Sequence, residues 1–204
     1  AEHLEAAVPD LAFDHGAYRI QGTDRSVEIG ELARKYPGRL DLDFKERPKV
    51  GGTFPNGCHI AEVEIDPETG ETQIVSYVAC DDVGNIVNHQ IVEGQMHGGI
   101  TQGAGHILLE QGVYDASGQL LTGSFMDYAM PRAGLVGGLT VLDHAVPTAS
   151  NPLGAKGVGE GGVTGSMPAV MNAVMDALSR AGVAHLDMPA SPHRIWQALR
   201  SARR

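Results

Sequence analysis

His59–Asp66 (HIAEVEID), Pro67–Gly70 (PETG) and Glu71–Cys80 (ETQIVSYVAC) read in order as strand, turn and strand. Apolar and polar residues alternate in both arms, and a four-residue loop ending in glycine closes them into a β-hairpin. The register that matches the apolar faces sets Val63 against Ile74 and Ile65 against Thr72. It sends Cys58 and Cys80 to opposite faces, so both are expected to be reduced and unbridged. A one-residue slip would join them but would set Glu64 against Ile74.

Outward from this hairpin, residues 11–20 predict two short strands around Asp14-His15-Gly16. Ser26 reads as the N-cap of a helix over Val27–Tyr36 that Pro37-Gly38 ends, and Arg39–Glu46 as a half-buried strand. Ala1–Ala7 reads as the tail of a helix, stopped by Val8-Pro9-Asp10. With no initiator Met, that tail predicts a piece of a longer polypeptide.

On the C-terminal side, Asp81–Asn85 predicts a polar loop and Val92–Gln111 a glycine-rich helix. Gly98, Gly99, Gly103 and Gly105 each cost the helix ~1 kcal/mol against alanine. They are therefore expected to face another backbone or a cofactor. Gly123–Pro131 reads as irregular, Leu139–Val146 as a strand and Asn151–Gly162 as a long glycine loop. A helix should start at Thr164 or Ser166, with Pro168 in its first turn, and stop at Gly182. Ser191-Pro192 opens a last helix reaching about Arg203. Helices and strands alternate irregularly, which points to an α+β fold with mixed sheets. Residues 1–204 read as one domain with a sub-boundary near 48–56.

Composition narrows the function. Fifteen Lys+Arg against 25 Asp+Glu give a net charge of −10 over 204 residues. The sequence pI is near 5.3, and no basic cluster offers a surface to nucleic acid or an acidic membrane. No apolar run approaches the ~18 residues of a membrane span. Two cysteines make no disulfide framework and fit a cytoplasmic setting. The 27 glycines stand out; without a repeat period, they suggest backbone packed close to a partner.

Gly157-Val158-Gly159-Glu160-Gly161-Gly162 matches the GxGxxG pattern, but no strand directly precedes it, so a nucleotide site is the weaker alternative. The same loop leaves Glu160 with glycines on both sides and a helix start just beyond, where amides favour anions. That is a carboxylate a ligand can reach. The nine histidines show no metal-ligand spacing, since HExxH and CxxC are missing and His97 and His106 lie on different helix faces. Ser124, Ser150 and Ser166 sit in no GxSxG elbow. No metal ligand from the protein itself is expected.

Three segments together carry a resemblance. Gly94-Gln95-Met96-His97-Gly98-Gly99-Ile100-Thr101-Gln102-Gly103 resembles the GQ-x-x-G-x-x-x-QG helix of the molybdenum hydroxylases, and Lys156-Gly157-Val158-Gly159-Glu160 resembles their K-x-x-GE loop. Ser124–Pro131 (SFMDYAMP) is similar to the bacterial form of the segment between them. The order and the 65-residue gap from Gln95 to Glu160 fit as well. The family comprises xanthine dehydrogenases, aldehyde oxidoreductases and the large subunit of aerobic carbon monoxide dehydrogenase.

The resemblance implies the C-terminal part of a molybdopterin-binding subunit. It implies hydroxylation of an aldehyde, a purine or other N-heterocycle, or carbon monoxide, with water as oxygen source. Glu160 is then the general base, Gln95 a hydrogen-bond partner of the cofactor, and Gly159 and Lys156 its neighbours. It further implies molybdopterin with molybdenum in the cytosine dinucleotide form, shared with the rest of the subunit. Iron–sulfur (2Fe-2S) and FAD groups are implied on partner subunits, with the assembly a dimer. A chain this short offers one wall of such a site, so in isolation it is expected to bind no cofactor. A non-catalytic scaffold derived from the same family is the alternative. One departure from the family pattern is Asn88-His89, where Asn-Pro is usual.

Overall fold

The structure is a computed structural model that describes residues 1–39 and 51–202. It divides into two compact units, Ala1–Pro48 and Lys49–Arg204.

In the first unit, β1 (Leu11–Asp14) and β2 (Ala17–Ile20) form an antiparallel pair. Gly16 takes the positive φ of +81° that their tight turn requires. β3 (Ser26–Glu28) pairs with β2, and α1 (Ile29–Lys35) follows. The helix expected from Val27 therefore starts later. Ser26 to Glu28 give their backbones to the sheet, Val27 is buried there, and Glu28 stands at the N-cap in place of Ser26. Ala1–Ala7 forms hydrogen-bonded turns instead of a helix tail, with Leu4 N–H donating to the Ala1 carbonyl at 3.2 Å. The strand expected at 39–46 lies, from residue 40 on, outside the described residues.

The second unit is built on a three-stranded sheet in the order β4 (Asn56–Ile65), β5 (Thr72–Asp82), β6 (Leu139–Asp143). β4 runs antiparallel to β5 and β6 parallel to it, so the sheet is mixed. α2 (His89–Leu108) lies on the crossover between the parallel strands, and α3 (Gly161–Ser179) and α4 (Pro192–Ala202) complete the unit. The core joins Ile74, Tyr77 and Ala79 of β5 to Met96, Ile100 and Ile107 of α2, Val170, Val174 and Leu178 of α3, and Ile195 and Leu199 of α4.

Near its turn the hairpin has the expected register, Val63 opposite Ile74 and Ile65 opposite Thr72. Between Glu62 and Val63 the register shifts, because Glu62 faces Ser76 and leaves Val75 as an extra residue. From there outward the pairing has moved by one, and Cys58 stands directly opposite Cys80. The expectation of opposite faces is overturned by this bulge. The polar loop expected at Asp81–Asn85 also begins late, since Asp81 and Asp82 are buried at the end of β5.

Asn88 caps α2 by accepting from Ile91 N–H at 3.1 Å. The glycines divide by face. A Cβ on Gly99 would stand 2.8 Å from Val163 N, and one on Gly103 would collide with the Ser166 side chain. Gly105 packs on Pro131, whereas Gly94 and Gly98 have nothing within 4 Å of a Cβ. The same crossing explains why α3 starts at Gly161, ahead of the expected Thr164. Gly162 abuts the Met96 carbonyl and Gly99, where no side chain fits. Pro168 consequently falls at the eighth residue of α3, past its first two turns and not in the first turn as expected.

Candidate functional site

A cavity of about 510 Å³ is lined by the Asn56 end of β4, the Asp81–Val83 end of β5, and Glu160 with the first turns of α3. Glu160 occupies the N-cap position of α3, but its carboxylate makes no capping hydrogen bond and is exposed. Beside it, Gly157 and Gly159 have nothing within 4 Å of a Cβ. The carboxylate therefore stands at an open place in the wall, beside helix amides whose dipole favours negative charge.

Two buried networks hold the strand side of this cavity. Asp82 accepts from the Lys156 ammonium, from Gly84 and Val146 N–H at 2.9 Å each, and from the Asn56 amide at 3.4 Å. The Lys156 bond, followed by those two backbone N–H groups, holds the Asp82 carboxyl well below the usual carboxylate range. Lys156 N–H also donates to the Val83 carbonyl at 2.8 Å, so the start of the glycine loop is tied to the end of β5 at both ends of one residue.

The second network centres on His59, whose side chain is 3% exposed. Its Nε2 lies 3.0 Å from Asp81 Oδ2 and its Nδ1 lies 2.7 Å from the Tyr77 hydroxyl. Asp81 can only accept, so Nε2 carries a proton, and in the neutral ring Nδ1 accepts from Tyr77. Burial, with the Asp81 charge adding to it, pushes the Tyr77 phenol above its ordinary value, so it stays protonated. Two glycines make room for this arrangement. A Cβ on Gly165 of α3 would stand 2.5–2.6 Å from the His59 ring, and one on Gly57 would strike the Asp81 carboxylate.

The sequence-predicted residues are thus distributed as follows. Glu160 lines the cavity, and Gly159 leaves open space beside it. Gln95 is exposed on α2, one turn before Gly99. Its neighbour Met96 packs against the start of α3, with its Sδ 3.4 Å from where a Cβ of Gly161 would be, but Gln95 itself does not line the cavity that holds Glu160. Lys156 points to Asp82. Sequence reasoning missed His59, Tyr77, Asp81 and Asp82. The signal was a pair of adjacent aspartates closing a β-strand, where buried acids need partners.

Residues 1–136 match the molybdopterin cofactor-binding domain family. The chain belongs to the molybdenum hydroxylases. It is 36% identical over 211 residues to the carbon monoxide dehydrogenase large chain of Hydrogenophaga pseudoflava, covering 98% of this chain and 26% of that one. Against the nicotine 6-hydroxylase large subunit of Paenarthrobacter nicotinovorans it is 35% identical over 209 residues, covering 97% and 26%. The crystal structure of quinoline 2-oxidoreductase from Pseudomonas putida 86 superposes with a TM-score of 0.83 at 32% identity, covering 98% and 27%. The chain spans about a quarter of the length of these relatives. Among the described residues of this molybdenum hydroxylase domain, no group of three or more His, Cys, Asp or Glu is placed to hold a metal ion. No described helix is long and apolar enough to cross a membrane.

Proposed function

We propose that this chain forms one wall of the molybdopterin site of an oxidoreductase that hydroxylates an electron-poor carbon with water, and that Glu160 is its general base. The observation that carries this reading is an uncapped, exposed carboxylate at the start of α3, on the wall of a cavity, beside glycines with open space around them. The residues present suit the group. The α3 N-terminus favours the cofactor's phosphates, and the missing side chains of Gly157 and Gly159 let a large ligand approach the backbone.

When bound, the molybdenum cofactor supplies the two-electron acceptor for the substrate. The chain's own part is to hold and move a proton. Glu160, ionised, takes the proton from the water whose oxygen enters the product, as a general base within hydrogen-bond reach must. Gln95 offers an amide donor and acceptor to the cofactor from α2, and Gly159 leaves the approach to Glu160 clear. Lys156 contributes by fixing the loop through Asp82 and the Val83 carbonyl.

The relatives' names support an N-heterocycle or carbon monoxide as substrate, with an aldehyde or a purine as further options that other relatives name. The proposed whole protein is a cytoplasmic dimer. It carries molybdopterin as the cytosine dinucleotide, with 2Fe-2S and FAD on partner subunits. Turnover in heavy-oxygen water tests the reaction class. Product oxygen derived from the water is expected, and product oxygen derived from dioxygen would overturn the proposal.

A further inference from the structure

The two cysteines take no part in the networks above, yet the bulge at Val75 has set them face to face. Cys58 and Cys80 are directly paired across β4 and β5, on the sheet face opposite His59 and Asp81 by strand alternation, and Cys58 also borders the cavity that Glu160 lines. Residues paired this way have Cα atoms about 4.5–5.5 Å apart, inside the ~4.4–6.8 Å that a disulfide spans. Both thiols are free, with Cys58 exposed and Cys80 half-buried. Each immediately precedes a residue of the buried pair on the inner face, His59 after Cys58 and Asp81 after Cys80.

We propose that Cys58 and Cys80 form a redox modification site, a dithiol that a peroxide converts into a cross-strand disulfide. The more exposed Cys58 thiolate attacks one peroxide oxygen. The O–O bond breaks, giving a Cys58 sulfenic acid and releasing hydroxide that leaves as water. Cys80 sulfur then attacks the Cys58 sulfur, the S–O bond breaks, the S–S bond forms and a second water departs. Two thiols lose two electrons in total, and one hydrogen peroxide gains them. The link fastens the sheet face directly behind His59 and Asp81.

The test treats the full chain with hydrogen peroxide, blocks remaining thiols with N-ethylmaleimide, and maps peptides without reductant. The expected product is a peptide pair joining Cys58 to Cys80 within one chain, two hydrogen atoms lighter, that dithiothreitol separates. Linkage should form faster in the folded chain than in urea, because folding aligns the thiols. In Cys80→Ser, Cys58 should stop at a sulfenic acid that dimedone traps. Two free thiols after oxidation, sulfinic acid in place of linkage, linkage only between chains, or equal rates in urea would each overturn the proposal.

Discussion

Replacing Gly99 by alanine tests the packing of α2 against α3, and Gly98 beside it supplies the control. A methyl at position 99 would stand 2.8 Å from Val163 N, 3.0 Å from Gly162 Cα and 3.1 Å from Gly162 C, where ordinary contact begins at 3.4 Å. All three atoms are backbone, so no side chain can rotate away. The helices must part by about half an ångström in a closely packed interior. Overpacking of this kind costs ~1–3 kcal/mol, and the gain in helix propensity returns ~1 kcal/mol. The expected net loss is up to about 2 kcal/mol, a fall in Tm of up to about 8 °C for a chain of this size. At position 98 a methyl meets nothing within 4 Å, so Gly98→Ala should gain up to ~1 kcal/mol. Thermal and urea unfolding followed by circular dichroism measure both. A Gly99→Ala chain that gains stability as Gly98→Ala does, or equal losses at both positions, would overturn this packing.

Further expectations follow from the networks. The Asp82 carboxyl is lowered in the folded chain, so its stabilisation is complete above the unfolded value of ~3.9 and fades as pH falls below it. Lys156→Met should make that acid-side loss shallower in urea midpoints taken across pH, and an unchanged slope would contradict the assignment. Tyr77→Phe leaves the buried Nδ1 of His59 without its partner and should cost ~1–3 kcal/mol; an unchanged urea midpoint would mean that bond contributes nothing. The 204-residue chain purified alone should carry no molybdenum, because one wall around a cavity of about 510 Å³ leaves most of the cofactor unheld. Near-stoichiometric metal in that preparation would overturn this.

The hairpin shows how far the sequence could be read. Alternation gave the pairing beside the turn correctly, because Val63, Ile65 and Ile74 all point inward. It failed beyond Glu62, because the reading assumed unbroken alternation while β5 carries an extra residue. A trace was present: buried Ile74 and buried Tyr77 are three apart, a spacing that a regular strand cannot put on one face. Missing that bulge also hid the His59–Asp81 contact, since correct pairing beyond Val75 is what brings the two together. The glycines were legible as a class and illegible one by one. Gly99 and Gly98 look alike in sequence, and only the position of α3 separates them. Likewise Gly161 and Gly162 read as loop because glycine is a poor helix former, yet close approach to Met96 and Gly99 makes them the first turn of α3. The start of α1 failed for the opposite reason, since a strand pairing took the residue that looked like a cap.

The role of Glu160 is tested most directly by turnover per molybdenum atom in the full-length Glu160→Gln protein. Glutamine keeps the shape of the side chain and cannot accept the proton. Near-normal molybdenum content is expected, with turnover reduced at least ~10²-fold, the lower range for loss of a general base. Turnover per molybdenum equal to that of the parent enzyme would contradict it and leave Glu160 a residue of the loop alone.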